Sequence, residues 1–309
     1  MKALRRIGLL ALIISFLTIN LCHGQNVAKK TWTKGVEYAA QGNFSEAKKE
    51  FENALKADPY CHPAKEALEV IEDVVDQKIK SGAVIHFYRG VAYRVKRQWD
   101  EAIAEYNKAL EINPKFAMAY NYRGIVCRLK GQYDQAISDH NKSIEIRPRY
   151  AGAYISRGIT YGLKGQWGQA IAEYNKALEI NPRYADAYYN RGFAYDTKGQ
   201  HDQAISDFTK ALEINPGFTE AYNNRGLAYA KGKGQYDQAI SDFTKAIELN
   251  PRYAGAYNNR GLAYDAKGNM KKACSDWKRA CELGDCRSWG IINKARCLES
   301  NGTDKSVKP

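Results

Sequence analysis

Cysteine is the residue type whose number and spacing in this chain best suit covalent chemistry. The chain has seven cysteines, and four of them lie close together near the C-terminus. Those four are Cys274, Cys281, Cys286 and Cys297. Gaps of six, four and ten residues separate them, which does not match the close CxxC pairs of zinc sites. The spacing therefore favours disulfides over a metal site.

The pairing of these cysteines depends on how the chain turns between them. If it reverses at 283–285 and returns as an antiparallel helix, Cys281 meets Cys286 and Cys274 meets Cys297. Two nested disulfides would then hold the end of the fold against fraying. Four cysteines permit three pairings, and buried free thiols that act as small apolar residues remain the alternative.

No other residues form a catalytic or metal-binding pattern. The five histidines lie at unrelated positions, without an HExxH motif or a Cys-His pair at ligand spacing. His86 and His140 stand where aromatic residues recur elsewhere, so packing explains them better than chemistry. Gly232–Gly234 lacks the GK[ST] ending of a phosphate loop, and Cys61 and Cys127 have no evident mates. The sequence predicts no enzyme and no cofactor or metal.

The elements that must position any site repeat at a fixed interval. The recurring residues are Gly90, Gly124, Gly158, Gly192, Gly226 and Gly261, the first five 34 residues apart and the last after 35. Each lies in a similar phrase, such as FYRGVAY or NNRGLAY, and a second phrase, such as EINPKF or ELNPRY, keeps the same interval. A period of this size is typical of a stacked array of supersecondary units.

Each repeat is predicted to contain two amphipathic helices. From Asp202 to Asn215, apolar residues recur at helical spacing, and the segment before it does the same. Gly199 marks the turn between the helices, and Pro216 ends the second one because proline cannot continue a helix. Glycine costs about 1 kcal/mol in a helix, so we expect Gly192 to allow a close approach to Ala204.

These helix pairs resemble the tetratricopeptide repeat, with an early aromatic residue, then Gly, Tyr, Ala, Phe, Ala and a terminal Pro at set intervals. The resemblance implies an all-α fold, a right-handed superhelical solenoid of stacked helix-turn-helix repeats. We expect a signal peptide at 1–24, a first repeat plus a long extra helix at 25–82, six repeats at 83–287, and a capping helix with a flexible tail at 288–309.

Three departures from the repeat mark expected irregularities. A helix from His62 to Ser81 has no partner helix of its own, and Ser81–Gly82 is a possible hinge after it. One additional residue between Ala230 and Gln235 is expected to enlarge a turn. Arginines such as Arg191 and Arg225 stand before the glycine where the family commonly has leucine, a change that should leave the fold intact.

The resemblance also implies a binding groove, because the first helix of each tetratricopeptide repeat lines a concave surface that commonly receives a peptide or a partner helix. The corresponding residues are Phe87, Tyr88, Arg94, Asn121, Tyr122, Arg128, Tyr189, Asn190, Asn223, Asn224, Asn258 and Asn259. The earlier ones suit an apolar or acidic ligand, and the later asparagines suit a peptide backbone. The alternative is that these side chains only satisfy neighbouring helices.

The N-terminus predicts export. Basic residues precede an apolar run at 7–21, and a small residue, Gly24, ends the possible cleavage site. We therefore expect a periplasmic or secreted protein, anchored to the membrane only if 7–21 is left uncleaved; lipidation at Cys22 is a further alternative. The net charge of +13 could attract acidic partners, but export argues against nucleic acid.

These patterns together favour a non-enzymatic adaptor that binds a protein partner in the groove and helps to assemble an envelope complex. Two alternatives remain open. One is a structural scaffold that self-associates as a homo-oligomer through end-to-end stacking of repeats, and the other is an accessory subunit of an envelope enzyme. The identity of the partner does not follow from the sequence.

Overall fold

The computed structural model describes residues 26–290 and residue 297, and within them the only regular secondary structure is the α-helix. The all-α prediction is confirmed. The signal peptide at 1–24, the apolar run at 7–21, and most of the predicted capping helix and tail at 288–309 lie outside these residues. The chain divides into two compact units, Met1–Ile180 and Asn181–Pro309.

The described part of the N-terminal unit contains four helical hairpins and one single helix. Its helices are α1 (Asn26–Ala40), α2 (Phe44–Ala57), α3 (His62–Val75), α4 (Ser81–Val95), α5 (Trp99–Ile112), α6 (Ala117–Leu129), α7 (Tyr133–Ile146), α8 (Ala151–Leu163) and α9 (Trp167–Ile180). The hairpins are α1 with α2, α4 with α5, α6 with α7, and α8 with α9. Helix α3 stands between the first two hairpins and packs mainly on α2.

The C-terminal unit contains three hairpins. Its described helices are α10 (Ala185–Thr197), α11 (His201–Ile214), α12 (Thr219–Lys233), α13 (Tyr236–Leu249), α14 (Ala254–Ala266) and α15 (Met270–Glu282). Helix α12 continues to Lys233, and Gly234, with φ of +60°, ends it. The additional residue at 230–235 therefore lengthens a helix, contrary to the expected larger turn, because the chain can stay helical until a glycine adopts the left-handed conformation.

The recurring glycine makes room for an aromatic ring in each hairpin. A Cβ atom added to Gly90 would lie 2.6 Å from a ring carbon of Tyr106, and one added to Gly158 would lie 2.6 Å from Tyr174. At Gly192 the nearest atoms are Cβ of Asp207 and the ring of Phe208, both at 3.1 Å. At Gly226 the backbone oxygen of Ala239, the residue that corresponds to Ala204, lies 3.1 Å from such a Cβ atom, so both the ring and the backbone of the facing helix limit the space in this hairpin.

A salt bridge joins the two helices of most hairpins at the residue before this glycine. The guanidinium of Arg123 donates to both carboxylate oxygens of Asp139, at 2.9 and 2.6 Å. Arg225 makes the same double contact with Asp242, at 2.8 and 2.7 Å. Arg225 also donates to Thr209 on the preceding hairpin, at 3.0 Å. The arginine that replaces the family's leucine therefore ties three helices together.

Helix α3 is shorter than the sequence suggests. It ends at Val75, and Gln77 adopts a positive φ of 57°. The backbone N–H of Lys78 then donates to the carbonyl of Asp73 at 2.9 Å, which closes the helix end. Ser81 and Gly82 belong to the first turn of α4, so the predicted hinge at these two residues is wrong. The break in the helical backbone lies at 76–80.

Two disulfides stand at the C-terminal end of the described chain. They join Cys274 to Cys297 and Cys281 to Cys286. Cys274 and Cys297 are buried with Trp277, next to the end of the last hairpin. Cys61 also takes part in a disulfide, contrary to the expectation that it has no mate, whereas Cys127 is a buried free thiol.

Candidate functional site

The first helices of the hairpins present one continuous face in each unit, which we call the first-helix face. In the N-terminal unit it is formed by α1, α4, α6 and α8, and in the C-terminal unit by α10, α12 and α14. The predicted groove residues lie on these helices.

The N-terminal first-helix face is covered by α3. Phe87, Tyr88 and Tyr122 are at most 7% exposed. A narrow crevice between α3 and this face is lined by Glu66 and Ala67 on one side and by the three aromatic residues on the other. The Tyr88 hydroxyl donates to the carbonyl oxygen of Ala67 at 3.0 Å. The aromatic residues predicted to line an open groove are thus buried beneath a helix of the same chain.

Glu66 is the polar centre of this contact. Its carboxylate accepts hydrogen bonds from the hydroxyls of Tyr122 at 2.9 Å and Tyr150 at 3.1 Å. A Cβ atom on Gly152 would lie 2.7 Å from the Glu66 carboxylate, so the glycine permits this approach. Burial raises the pKa of Glu66 to about 7, and the two hydroxyl bonds oppose that rise only in part.

The predicted basic residues of the N-terminal face are buried beside these tyrosines. The guanidinium of Arg94 lies 5.1 Å from the centre of the Tyr122 ring, a cation–π contact. Burial lowers the pKa of Arg128 to about 10. Asn121 donates to the Tyr150 hydroxyl at 3.2 Å, and its carbonyl oxygen lies 3.0 Å from Nδ1 of His140. Among the described residues, these groups form a polar network beneath and beside α3.

His140 fills an aromatic position of its repeat, as the sequence predicts. It is completely buried, and burial lowers its pKa to about 3, so the ring is neutral at physiological pH. His86 is half-buried, and its Nδ1 atom lies 2.7 Å from Glu105. Neither histidine belongs to a group of three or more potential metal ligands, and the described residues contain no such group.

On the C-terminal first-helix face, side-chain amides bond to one another. Asn259 donates to Asn223 at 2.9 Å, Asn223 donates to Asn224 at 3.2 Å, and Asn224 donates to the hydroxyl of Tyr189 at 3.0 Å. We call these four residues the asparagine row. It links α14, α12 and α10, so part of the predicted peptide-binding capacity is used between neighbouring hairpins.

Two further asparagines on this face keep a buried carbonyl oxygen without a partner in the described chain. They are Asn190, 6% exposed, and Asn258, 4% exposed. The Asn190 amide group donates to the carbonyl of Asp186 at 2.7 Å, which leaves only its oxygen unmet. A buried acceptor without a hydrogen bond costs about 1–3 kcal/mol. Both atoms are therefore candidates for bonding to a bound N–H group.

Glu66 was not predicted as a site residue, although its position in the sequence indicates a buried carboxylate. Glu66 lies one helical turn before Val70 and next to Ala67, within the apolar stripe of α3. A glutamate in such a stripe calls for a specific partner. The partners, Tyr122 and Tyr150, are 56 and 84 residues away, so they could be named only from the structure.

The stacked hairpins, each closed by a glycine against an aromatic ring, define an all-α helical-repeat protein. Family comparisons make this class more specific. Models described as TPR repeat or tetratricopeptide repeat match residues 32–61, 83–116, 105–138, 161–199, 185–218, 208–241, 233–268 and 254–283. The chain belongs to the tetratricopeptide repeat family. This is a family of protein-interaction scaffolds, and none of the matching models describes a catalytic family.

Two solved structures share the fold. One, the APC/C hetero-tetramer Cut9-Hcn1, has a TM-score of 0.62 at 19% identity and covers 83% of this chain and 52% of its own. Pseudomonas aeruginosa pilF has a TM-score of 0.61 at 16% identity, covering 71% and 97%. MamA is 34% identical over 57% of this chain and 96% of its own, with a TM-score of 0.47. No curated protein sequence matches the chain.

Among the described helices, none has the length and apolarity needed to cross a bilayer.

Proposed function

We propose that the chain is a non-enzymatic adaptor that binds a peptide or a partner helix on its first-helix faces and helps to assemble an envelope complex. The family supports the interaction role. Export is supported by the basic and apolar pattern of the N-terminus and by the disulfides, which persist in oxidising compartments. The net charge of +13 suits an acidic partner.

The observation that carries this proposal is the pair of buried carbonyl oxygens on Asn190 and Asn258. Asn190 lies on α10 and Asn258 on α14, which are the first helices of two different hairpins in the C-terminal unit. A backbone N–H from an extended peptide supplies the donor that each oxygen lacks, whereas the neighbouring asparagine row is already hydrogen-bonded. Binding of a peptide backbone in this way selects chain conformation more than side-chain sequence.

Affinity capture from the native envelope tests the proposal. The double variant N190A/N258A should lose the captured partner, because two acceptor groups disappear from the face. N250A is the matched control, since Asn250 is an exposed loop asparagine that only accepts from the backbone of Arg252 at 3.1 Å. Capture of the same proteins in the same amounts by all three baits would refute a binding role for this face.

The self-associating scaffold is the second candidate, favoured by the possibility of stacking repeats end to end. Light scattering separates it from the adaptor. A monomer across a wide concentration range supports the adaptor, and a concentration-dependent series of oligomers supports the scaffold. A catalytic chain that co-purifies at fixed stoichiometry would instead indicate an accessory subunit of an enzyme.

A further inference from the structure

Helix α3 is the one described helix that is not part of a hairpin, and it lies on a face that tetratricopeptide hairpins otherwise leave to a ligand. It contacts residues from three hairpins. Glu66 bonds to Tyr122 at the third hairpin and to Tyr150 at the start of the fourth, and Ala67 bonds to Tyr88 of the second. Its position is that of a bound helix, although it belongs to the same chain.

The two sides of the contact differ in the size of their apolar side chains. The covered face supplies an aromatic cluster in which the ring centre of Phe87 lies 5.1 Å from those of Tyr88, Phe116 and Tyr122. Helix α3 contributes only Pro63, Glu66 and Ala67 to the crevice between it and this cluster. Because apolar stabilisation scales with buried area, a partner helix with larger side chains has more to gain on this face.

The polar contacts of α3 are also replaceable. In the described chain, the groups that hydrogen-bond to the Glu66 carboxylate are two hydroxyls, and the guanidinium of Arg94 contacts the Tyr122 ring. Glu69 pairs with Arg147 at 2.9 Å, but both side chains are about half exposed, and such pairs contribute little. A carboxylate buried against neutral donors is held less firmly than one paired with a cation.

The backbone lets α3 pivot about its N-terminal end, where Cys61 is buried and disulfide-bonded, because the link at its C-terminal end is exposed. A five-residue link, 76–80, joins it to α4, and all but one of these residues are exposed. The link already contains a left-handed residue, Gln77. The preceding link, 58–61, is equally short.

Helix α3 carries four carboxylates and one lysine, and two of the carboxylates, Glu66 and Glu69, bond to groups of the third hairpin and the start of the fourth. A replacement helix with carboxylates at these two positions meets the same hydroxyl and guanidinium donors.

We propose that α3 is a displaceable occupant of the N-terminal first-helix face, and that an acidic amphipathic helix of a partner protein takes its place, with one carboxylate between the hydroxyls of Tyr122 and Tyr150. The proposal rests on the adaptor function and specifies its ligand in one unit. While α3 is docked, the apparent affinity for the partner helix is reduced by the fraction of molecules in which the face is free.

A labelled peptide of residues 62–75, acetylated and amidated, is the probe for this exchange. Titrated into the full chain, it should bind E66A at least about tenfold more tightly than wild type, because the tethered α3 loses its two hydroxyl bonds while the peptide keeps them. E66Q, which keeps the side-chain shape and mimics the protonated carboxyl, should stay within about twofold of wild type below pH 7. E69A is the matched control and should change the affinity less than about twofold.

Two further readouts test the location and the chemistry. Hydrogen exchange of the amides of 64–75 in the full chain should accelerate when the peptide binds, while those of α6 stay protected. A peptide with Glu66→Lys should bind at least about tenfold more weakly to E66A, because the hydroxyls of Tyr122 and Tyr150 lie near Arg94 and the added cation is repelled by it.

The proposal fails if folded E66A binds the peptide no more tightly than wild type, or if α3 remains protected when the peptide is bound. It also fails if wild type forms a concentration-dependent dimer that E66A abolishes, because the occupant would then be α3 of a second copy. The capture experiment with N190A/N258A tests the C-terminal unit. Its result is therefore independent of the peptide-exchange result, which tests the N-terminal unit.

Discussion

The two compact units build the same hairpin and then use the face of their first helices differently. In the N-terminal unit, α3 covers an aromatic surface, and Glu66 anchors it to Tyr122 and Tyr150. In the C-terminal unit, the asparagine row runs along the face, and Asn190 and Asn258 keep unmet oxygens. The comparison shows that the repeat fixes the scaffold, while a few side chains between hairpins decide which groups of each face are covered or left without a hydrogen bond.

The largest expected effect tests what the units share. G158L in the N-terminal unit and G192L in the C-terminal unit should each destabilise the protein by about 3 kcal/mol or more, because leucine overlaps the ring of Tyr174 or Phe208. Thermal unfolding followed by circular dichroism measures this. An unchanged melting temperature for either variant would break the idea of a common hairpin contact.

The next effect also applies to both units. R123A and R225A each leave a buried carboxylate, Asp139 or Asp242, without its guanidinium, and should cost about 2–3 kcal/mol. K210A is the control, since Lys210 and Glu213 form an exposed pair on one helix and its loss should cost less than about 0.5 kcal/mol. Chemical denaturation compares the three, and equal losses for all would remove the distinction between buried and exposed pairs.

A pH experiment separates the two units. The pKa of Glu66 rises from 4.5 to about 7 in the folded chain, so docking of α3 is fully stabilised below pH 4.5 and loses that contribution as the pH rises through 7. Tyr122, Tyr150 and Arg94 face this carboxyl from the packed hairpins, and Glu69 lies beside it on α3. Burial holds the pKa of Tyr122 well above 10, so its hydroxyl does not titrate in this range.

Hydrogen exchange of α3, corrected for its intrinsic pH dependence, should therefore be several times faster at pH 8 than at pH 5.5. E66Q should remove this difference, since its amide does not titrate. The helices of the C-terminal unit serve as the internal reference. Equal pH dependence in α3 and α12 would mean that Glu66 does not control the docking of α3.

The smallest effect concerns the asparagine row. N259A removes the hydrogen bond from α14 to Asn223 and should cost about 1 kcal/mol, because the carbonyl oxygen of the buried Asn223 loses its donor. Urea unfolding at fixed pH measures this loss. A cost as large as that of R225A would show that the row holds the unit together and is not chiefly available for binding.

The sequence by itself determined the repeat. The 34-residue period, the apolar spacing and the proline stops specify helical hairpins because each of these signals acts within a few turns of the backbone. The same local logic found the positions of the first helices and therefore the candidate faces. The bridge that the arginine before the glycine makes between helices could not be predicted in this way, since Asp139, which pairs with Arg123, lies 16 residues away on another helix.

Only the tertiary structure decided what covers each face. Glu66 and Tyr150 are 84 residues apart, and no local signal pairs them. Helix α3 ends at Val75, and residues 76–80 form a link, because Gln77 adopts a left-handed conformation. This conformation could not be predicted from the residue type, since glutamine rarely adopts it. Contacts of this kind depend on how hairpins stack in three dimensions, whereas the hairpins themselves follow from the spacing of residues along the chain.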